Sequence, residues 1–208
     1  MPYLLRVELP DIRGSLGRVA TAIGMAGGDI EAIEIVEKRD GTAVDDVLLE
    51  TAPQVMPDSI VSACNALDGV RVVWISRYAA GGNLVLDLEA VEELSARPEG
   101  ALDRLIELLP VTFRADWAAR VSRTDGLGYA TEAAPSTLDW TPIDRAAMLE
   151  AVDENTLMCG AKLNKTEIVV IGRRGGPEFL DSELARLGHL VGLAMSISRR
   201  ATAPSGSA

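Results

Sequence analysis

A short polar segment near the start of the chain carries the clearest chemistry in the sequence. Residues 11–16 read DIRGSL; they follow an alternating apolar run and lead into residues at helical spacing. A helix that begins near Ser15 offers unpaired backbone amides to an anion, and Gly14 lets a ligand approach the backbone closely. The segment therefore predicts a site for a carboxylate.

Two aspartates supply the complementary charge. Asp11 follows the first apolar run and Asp29 enters the next one, so both flank the predicted helix. Either carboxylate can pair with an ammonium group, and with the amides they describe a site for a zwitterion. The predicted ligand contacts are Asp11, Ile12, Arg13, Gly14, Ser15, Leu16, Asp29 and Ile30. The alternative is that Asp11 only organises the turn and Ser15 only caps the helix.

The elements around this segment begin with a strand and a helix. Residues 3–9 place Leu5, Val7 and Leu9 on one side, as in a strand with one buried face, and Pro10 ends the run. Apolar residues from 16 to 23 then recur at helical spacing until two glycines stop them. The sequence thus predicts a strand, a turn and a helix in that order.

A hairpin and a second helix and strand complete this half. Residues 29–37 and 43–51 are rich in Ile, Val and Leu and flank an Asp-Gly pair, which is a strong hairpin signal. A helix then starts at Pro57, and residues 70–78 are β-branched and aromatic. The resulting order of strands and helices is ferredoxin-like. Two helices cover only one face of such a sheet, so we expect the other face to stay polar or to contact a partner, and the chain to form a homodimer.

The second half predicts another antiparallel sheet flanked by helices. Residues 79–83 are small and flexible and mark a linker between a first domain at 1–78 and a second at 84–199. The tail at 200–208 is rich in Ser, Ala, Pro and Gly and is expected to be disordered. Predicted helices cover 83–97, 101–109 up to Pro110, a patch at 146–152 and 179–198; predicted strands cover 116–123, 128–133, 157–163 and 166–173.

Composition narrows the function classes. The 208 residues carry a net charge of −11, and the absence of a basic stripe disfavours nucleic acid and anionic membranes as partners. No apolar stretch approaches the roughly 18 residues of a membrane span, which favours a cytoplasmic location. A single histidine and two distant cysteines, Cys64 and Cys159, disfavour a zinc site or a Ser-His-Asp triad, and both cysteines are expected to be buried. We therefore expect a non-enzyme without a cofactor or metal.

Three segments resemble the recurrent signatures of an ACT domain. They are DIRGSLGRV at 11–19, GGDI at 27–30 and LDGV at 67–70, and the resemblance spans residues 3–78. It implies a ferredoxin-like regulatory module that dimerises and binds an amino acid near the first strand-to-helix turn. Two residues differ from the usual pattern: Arg13 stands where a proline is usual, and Asp29 where an asparagine is frequent.

A weaker resemblance concerns the end of the chain. Residues 168–197, with GPEF at 176–179 and ELARL at 183–187, are similar to the closing strand and helix of a GAF domain. The resemblance implies a small-molecule sensor or a dimerisation module. The sequence shows neither a chromophore-attaching cysteine in a helix nor a cyclic-nucleotide pattern, so it indicates no ligand for this domain.

Three hypotheses follow. The first is a non-enzymatic regulatory sensor that binds a free amino acid at the ACT dimer interface and acts on a regulated protein that the sequence does not identify. The second is a ligand-free dimerisation module. The third is an enzyme with a carboxylate acid or base among Asp139, Asp144 and Asp153.

Overall fold

A computed structural model describes residues 1–77 and 82–202, and the chain divides into two compact units, Met1–Gly82 and Asn83–Ala208. Residues 79–81 of the expected linker and residues 203–208 of the expected tail lie outside the described residues. Independent folding of the two domains stays a prediction.

The first unit is ferredoxin-like, as predicted. Its four strands form an antiparallel sheet in the order β2-β3-β1-β4. In chain order the elements are β1 (Pro2–Pro10), α1 (Ser15–Met25), β2 (Gly28–Arg39), β3 (Thr42–Thr51), α2 (Pro57–Asn65) and β4 (Arg71–Arg77). The alternation in β1 is real, because Leu5, Val7 and Leu9 all lie in the core beneath the helices.

The hairpin between β2 and β3 follows the predicted turn chemistry. Asp40 has φ 52° and Gly41 has φ 79°, so both central residues of the turn are left-handed. Two-residue turns of this kind match the twist of the flanking strands and favour Asp-Gly. The turn pairs Arg39 with Thr42 and fixes the register of the two strands.

The face of this sheet that carries Leu4, Arg6 and Asp46 is also buried. These three residues are 1%, 2% and 1% exposed. Arg6 Nε lies 2.7 Å from Asp46 Oδ1, and its Nη2 lies 2.9 Å from Oδ2, so the pair is bidentate. The centre of this face is therefore not an open surface, and a dimer contact through this unit has to use other residues.

The second unit is a five-stranded antiparallel sheet with helices, as predicted. Its strand order is β6-β5-β9-β8-β7, and α4 and α5 pack against the sheet through one apolar cluster. The elements are α3 (Gly82–Ala96), a 3₁₀ turn (Pro98–Gly100), α4 (Ala101–Phe113), β5 (Trp117–Ser122), β6 (Gly126–Ala130), β7 (Ala147–Leu149), β8 (Thr156–Lys162), β9 (Glu167–Arg174) and α5 (Asp181–Thr202). Cys159 is buried in this cluster and Cys64 in the core of the first unit, as expected.

Two helix ends differ from the prediction. Helix α4 continues through Pro110 to Phe113, although an interior proline removes a hydrogen bond. Leu109 and Phe113 are fully buried on either side of it, and their burial outweighs the proline penalty. Helix α5 runs to Thr202 and so occupies the first residues of the expected disordered tail.

The predicted helical patch at 146–152 is wrong. Residues 147–149 form the edge strand β7, in which Met148 pairs with Cys159 of β8. The short apolar run there fits either a helix or a strand, and only the neighbouring strand decides between them. No helix among the described residues is long and apolar enough to cross a membrane.

Candidate functional site

Backbone hydrogen bonds hold the turn after β1, two within the turn and one to the β2–β3 hairpin. The N–H of Asp11 donates to Gly41 O at 2.8 Å, that of Ile12 to Pro10 O at 2.8 Å, and that of Ser15 to Ile12 O at 3.2 Å. Gly14, at φ 89°, is the N-cap of α1. Ser15 is the first helical residue, so the alternative that its side chain caps the helix is wrong.

The first turn of α1 leaves two amides without acceptors inside the helix. The first intrahelical bond runs from Arg18 N–H to Gly14 O at 3.1 Å, and the amides of Leu16 and Gly17 precede it. A Cβ built on Gly14 would meet no atom within 4 Å. The backbone at this turn is therefore sterically open, and binding of an anion there stays a prediction.

A groove of about 430 Å³ begins at Gly14 and follows the outer side of α1. Its other lining residues are Gly17, Arg18, Thr21, Ala22, Met25 and Leu67. The two glycines lie beside the open amides, so a small molecule on those amides has room to extend along the helix. Ile12 and Arg13 are exposed at the same end of α1.

Asp11 has a partner that the sequence analysis missed. Lys38 Nζ, from the end of β2, lies 2.7 Å from Asp11 Oδ1. The two side chains remain 52% and 39% exposed. Exposed ion pairs of this kind contribute at most about 1 kcal/mol, so a ligand can open the pair at small cost.

Asp29 lies at the other end of the sheet. Asp29 pairs with Glu50, which also pairs with Pro2 at the start of β1, whereas Asp11 follows Pro10 at its end. Eight residues of β1 at roughly 3.3 Å each separate the two positions by about 26 Å. One chain therefore does not bring Asp11 and Asp29 to the same ligand. Ile30, next to Asp29, is half-buried and packs against the core.

Two buried polar groups lie at this end of the unit: Ser15, which the sequence analysis includes among the ligand contacts, and Asp45, which it missed. Asp45 is 1% exposed and Ser15 is 3% exposed. Among the described residues, Asp45 Oδ1 and Ser15 Oγ have no hydrogen-bond partner. Burial raises the pKa of Asp45; Lys38 opposes this shift, while Asp46 and Asp11 add to it. The signal in the sequence was a pair of aspartates inside the otherwise apolar run VDDVLL.

Two carboxylates of the enzyme hypothesis, Asp144 and Asp153, accept hydrogen bonds from nearby residues. Asp144 accepts a hydrogen bond from Lys162 Nζ at 3.1 Å and is fully exposed. Asp153 accepts from Asn155 N–H and Thr156 Oγ1, and these bonds lower the pKa of Asp153. Within the parts of the chain that the structure describes, no three His, Cys, Asp or Glu side chains group as metal ligands.

Known proteins were compared with the chain by sequence and by structure. No family model matches the chain. Over 73 residues the chain is 34% identical to NAD-dependent malic enzyme 1 of Bacillus subtilis (strain 168). The match takes in 35% of this chain and 17% of the malic enzyme, so the chain spans less than a fifth of that relative.

Two solved structures show distant similarity. A formyltetrahydrofolate deformylase from Pseudomonas putida KT2440 aligns with a TM-score of 0.31 and 9% identity, over 50% of this chain and 39% of its own. An unknown protein from Galdieria sulphuraria aligns with a TM-score of 0.34 and 14% identity, over 97% and 92%. The ferredoxin-like assignment of the first unit follows from its own strand order and register.

Proposed function

We propose that the chain is a regulatory sensor of the ACT type, a non-enzymatic homodimer that binds a free amino acid at the turn of residues 11–16. The observation that carries the proposal is the open Gly14 turn, with two unpaired amides, beside the exposed ion pair of Asp11 and Lys38. An amino acid presents one carboxylate and one ammonium group, and this end of the unit offers a partner of opposite charge to each.

The binding step exchanges one ion pair for two. The ligand carboxylate accepts hydrogen bonds from the amides of Leu16 and Gly17 and pairs with Lys38. The ligand ammonium takes the place of Lys38 on Asp11. Charge-assisted hydrogen bonds at a helix N-terminus are stronger than an exposed lysine–aspartate pair, so the exchange favours the bound state.

A second copy of the chain supplies Asp29. Strand β2 is an edge of the sheet and exposes Ile33 at 36% and Ile35 at 52%. An unpaired edge strand is a template for pairing with another chain. Antiparallel pairing of β2 with its own copy sets Asp29 of one chain beside the end of β2 in the other, where Lys38 lies. This arrangement completes the predicted ligand contacts across two chains.

A site shared between two chains lets the amino acid change the association of the protein. A ligand shifts an equilibrium only if it binds one state better than another, and a site completed by assembly provides that difference. Binding of the amino acid then favours the dimer over the separate chains, and a regulated protein responds to this change. We assign the five-stranded second unit a GAF-like role in passing on or modifying this signal.

The homodimer is testable by mass. Light scattering of the full chain at high micromolar concentration should give twice the chain mass of 22.1 kDa. Ile35→Lys should give the single-chain mass, because it puts a charge in place of an exposed apolar side chain within the paired β2 strands. The control Val111→Lys, at a 62% exposed position of α4, should stay dimeric. A parent protein that is monomeric contradicts the shared site.

The ligand is testable by a thermal-shift screen of the free L-amino acids on the full chain. At about 100 times the dissociation constant, a bound amino acid adds roughly 2.7 kcal/mol to the free energy of unfolding. Asp11→Asn should weaken the binding by removing the charge that faces the ammonium. Gly14→Asn should abolish it, because asparagine tolerates the left-handed backbone at φ 89° but fills the open space.

The matched control for the glycine variant is Gly126→Asn. Gly126 has φ 72° and equally open surroundings, but it lies in the second unit, so this variant should bind like the parent. If no amino acid raises the melting temperature of the parent, the sensor proposal fails. The ligand-free dimerisation module then becomes the better hypothesis, with Lys38 as the permanent partner of Asp11.

A further inference from the structure

Two buried atoms at the same end of the unit as the proposed site have no hydrogen-bond partner among the described residues and no role in the exchange described above. They are Ser15 Oγ and Asp45 Oδ1, on residues that are 3% and 1% exposed. Buried polar side chains in folded proteins are nearly always hydrogen-bonded, and an unpaired one lowers stability. Two such atoms in one place therefore need an explanation.

The topology places both groups beneath the first turn of α1. Helix α1 connects β1 to β2, and β3 lies between these strands in the sheet, so α1 crosses over β3. Ser15 is on the buried side of the helix at its first residue. Asp45 lies three residues into β3, opposite Val7 of β1. Thr42, three residues before Asp45, pairs with Pro10, so Asp45 lies at the end of the sheet where Asp11 follows β1.

The chemistry of the two atoms limits what can satisfy them. An ionised aspartate oxygen only accepts hydrogen bonds, whereas a serine hydroxyl both donates and accepts. The partner that the ionised Asp45 lacks is thus a donor; the Lys38 ammonium donates to Asp11 and makes no hydrogen bond to Asp45 Oδ1. An apolar ligand group beside Asp45 would leave its oxygen unpaired.

We propose that the site selects amino acids whose side chain carries a hydrogen-bond donor, and that Asp45 and Ser15 recognise that donor. The inference rests on the proposed function and goes further by naming the ligand class: hydroxyl, amide or amine side chains bind, and aliphatic side chains of the same shape are rejected. The ligand backbone occupies the amides and the Asp11–Lys38 pair. Because Ser15 and Asp45 are 3% and 1% exposed, the first turn of α1 has to move away from β3 for the ligand side chain to reach them.

Isosteric ligand pairs test the selectivity on the full chain by calorimetric titration. Threonine should bind at least about 10-fold more tightly than valine, and asparagine more tightly than leucine, because sites built around a polar partner reject analogues that lack the donor. In Asp45→Leu and in Ser15→Ala the threonine-to-valine ratio should fall to within about 3-fold.

The melting temperature of the unliganded variants separates recognition from a structural role. Asp45→Leu and Ser15→Ala each remove an unpartnered buried group, so both should melt at or above the temperature of the parent. Thr51→Val is the matched control. Thr51 Oγ1 is also buried without a partner among the described residues, but it lies at the other end of β3. This variant should keep the parent ratio.

Each contrary outcome has a distinct meaning. If the parent binds threonine and valine equally, the inference is overturned while the proposed function stands. If Asp45→Leu lowers the melting temperature and keeps the ratio, Asp45 is structural and the inference is again overturned. If no amino acid binds the parent, the proposed function fails together with the inference.

Discussion

Arg173→Met is expected to lower the free energy of unfolding of the second unit by about 3–5 kcal/mol. Arg173 is 3% exposed. Its Nη2 donates to Glu183 Oε1 at 2.8 Å and to Phe113 O at 2.7 Å, and its Nη1 donates to Pro177 O at 2.9 Å. Methionine keeps much of the volume but removes the positive charge that lies 2.8 Å from the 5% exposed Glu183 carboxylate. An uncompensated buried charge is the most costly result of such a substitution.

Scanning calorimetry of the full chain measures this effect, and amide exchange in β9 and α5 assigns it to the second unit. Arg174→Met is the matched control, because Arg174 is the exposed neighbour on the same strand, and the change should stay within about 0.5 kcal/mol. The double variant Arg173→Met with Glu183→Met should recover part of the loss, since it removes both buried charges. A loss below about 1 kcal/mol in Arg173→Met would show that the pair contributes little.

The first unit was predictable because its signals are local. The alternation in residues 3–9, the left-handed Asp40-Gly41 turn and the proline at the start of α2 each depend on neighbours in the sequence. Such signals specify strands, helices and a hairpin, and the order of those elements is already ferredoxin-like. The open turn at Gly14 belongs to the same class, since a backbone with positive φ favours glycine.

The charged residues of the site were less predictable, because the register of the strands decides which of them lie close together. Lys38 reaches Asp11 only because the β2–β3 hairpin and the pairing of β1 with β3 bring the ends of β1 and β2 together. The same register carries Asp29 to the far end of the sheet, although it lies close to α1 in the sequence. A sequence shows which charges exist, but strand pairing decides which of them meet.

Tertiary contacts also overrode two local signals in the second unit. Pro110 normally ends a helix, yet α4 continues for three residues past it because Phe113 is buried in the core. Residues 147–149 have the composition of a helix, yet they complete the sheet beside β8. In both places the outcome depends on a surface formed by residues distant in the sequence.

Asp46→Leu is expected to lower the free energy of unfolding of the first unit by about 3–5 kcal/mol. Asp46 holds Arg6 through two hydrogen bonds of 2.7 and 2.9 Å, and both side chains are almost completely buried. Its neighbour Asp45 lies on the opposite face of the same strand, and its Oδ1 has no partner among the described residues. Removing Asp46 takes away the two hydrogen bonds that its carboxylate accepts from the buried Arg6 guanidinium, whereas Asp45 Oδ1 accepts none among the described residues.

Adjacent aspartates in one strand thus predict opposite effects for the same substitution. Calorimetry of Asp45→Leu and Asp46→Leu, with amide exchange followed in β1 and β3, should show a melting temperature at or above that of the parent for the first variant and well below it for the second. Equal losses in the two variants would mean that strand burial alone governs both positions. A loss confined to Asp46→Leu would show that Asp46 stabilises the sheet and Asp45 does not. A melting temperature of Asp45→Leu above that of the parent would show that Asp45 is kept at a cost in stability, as expected for a residue that binds a ligand.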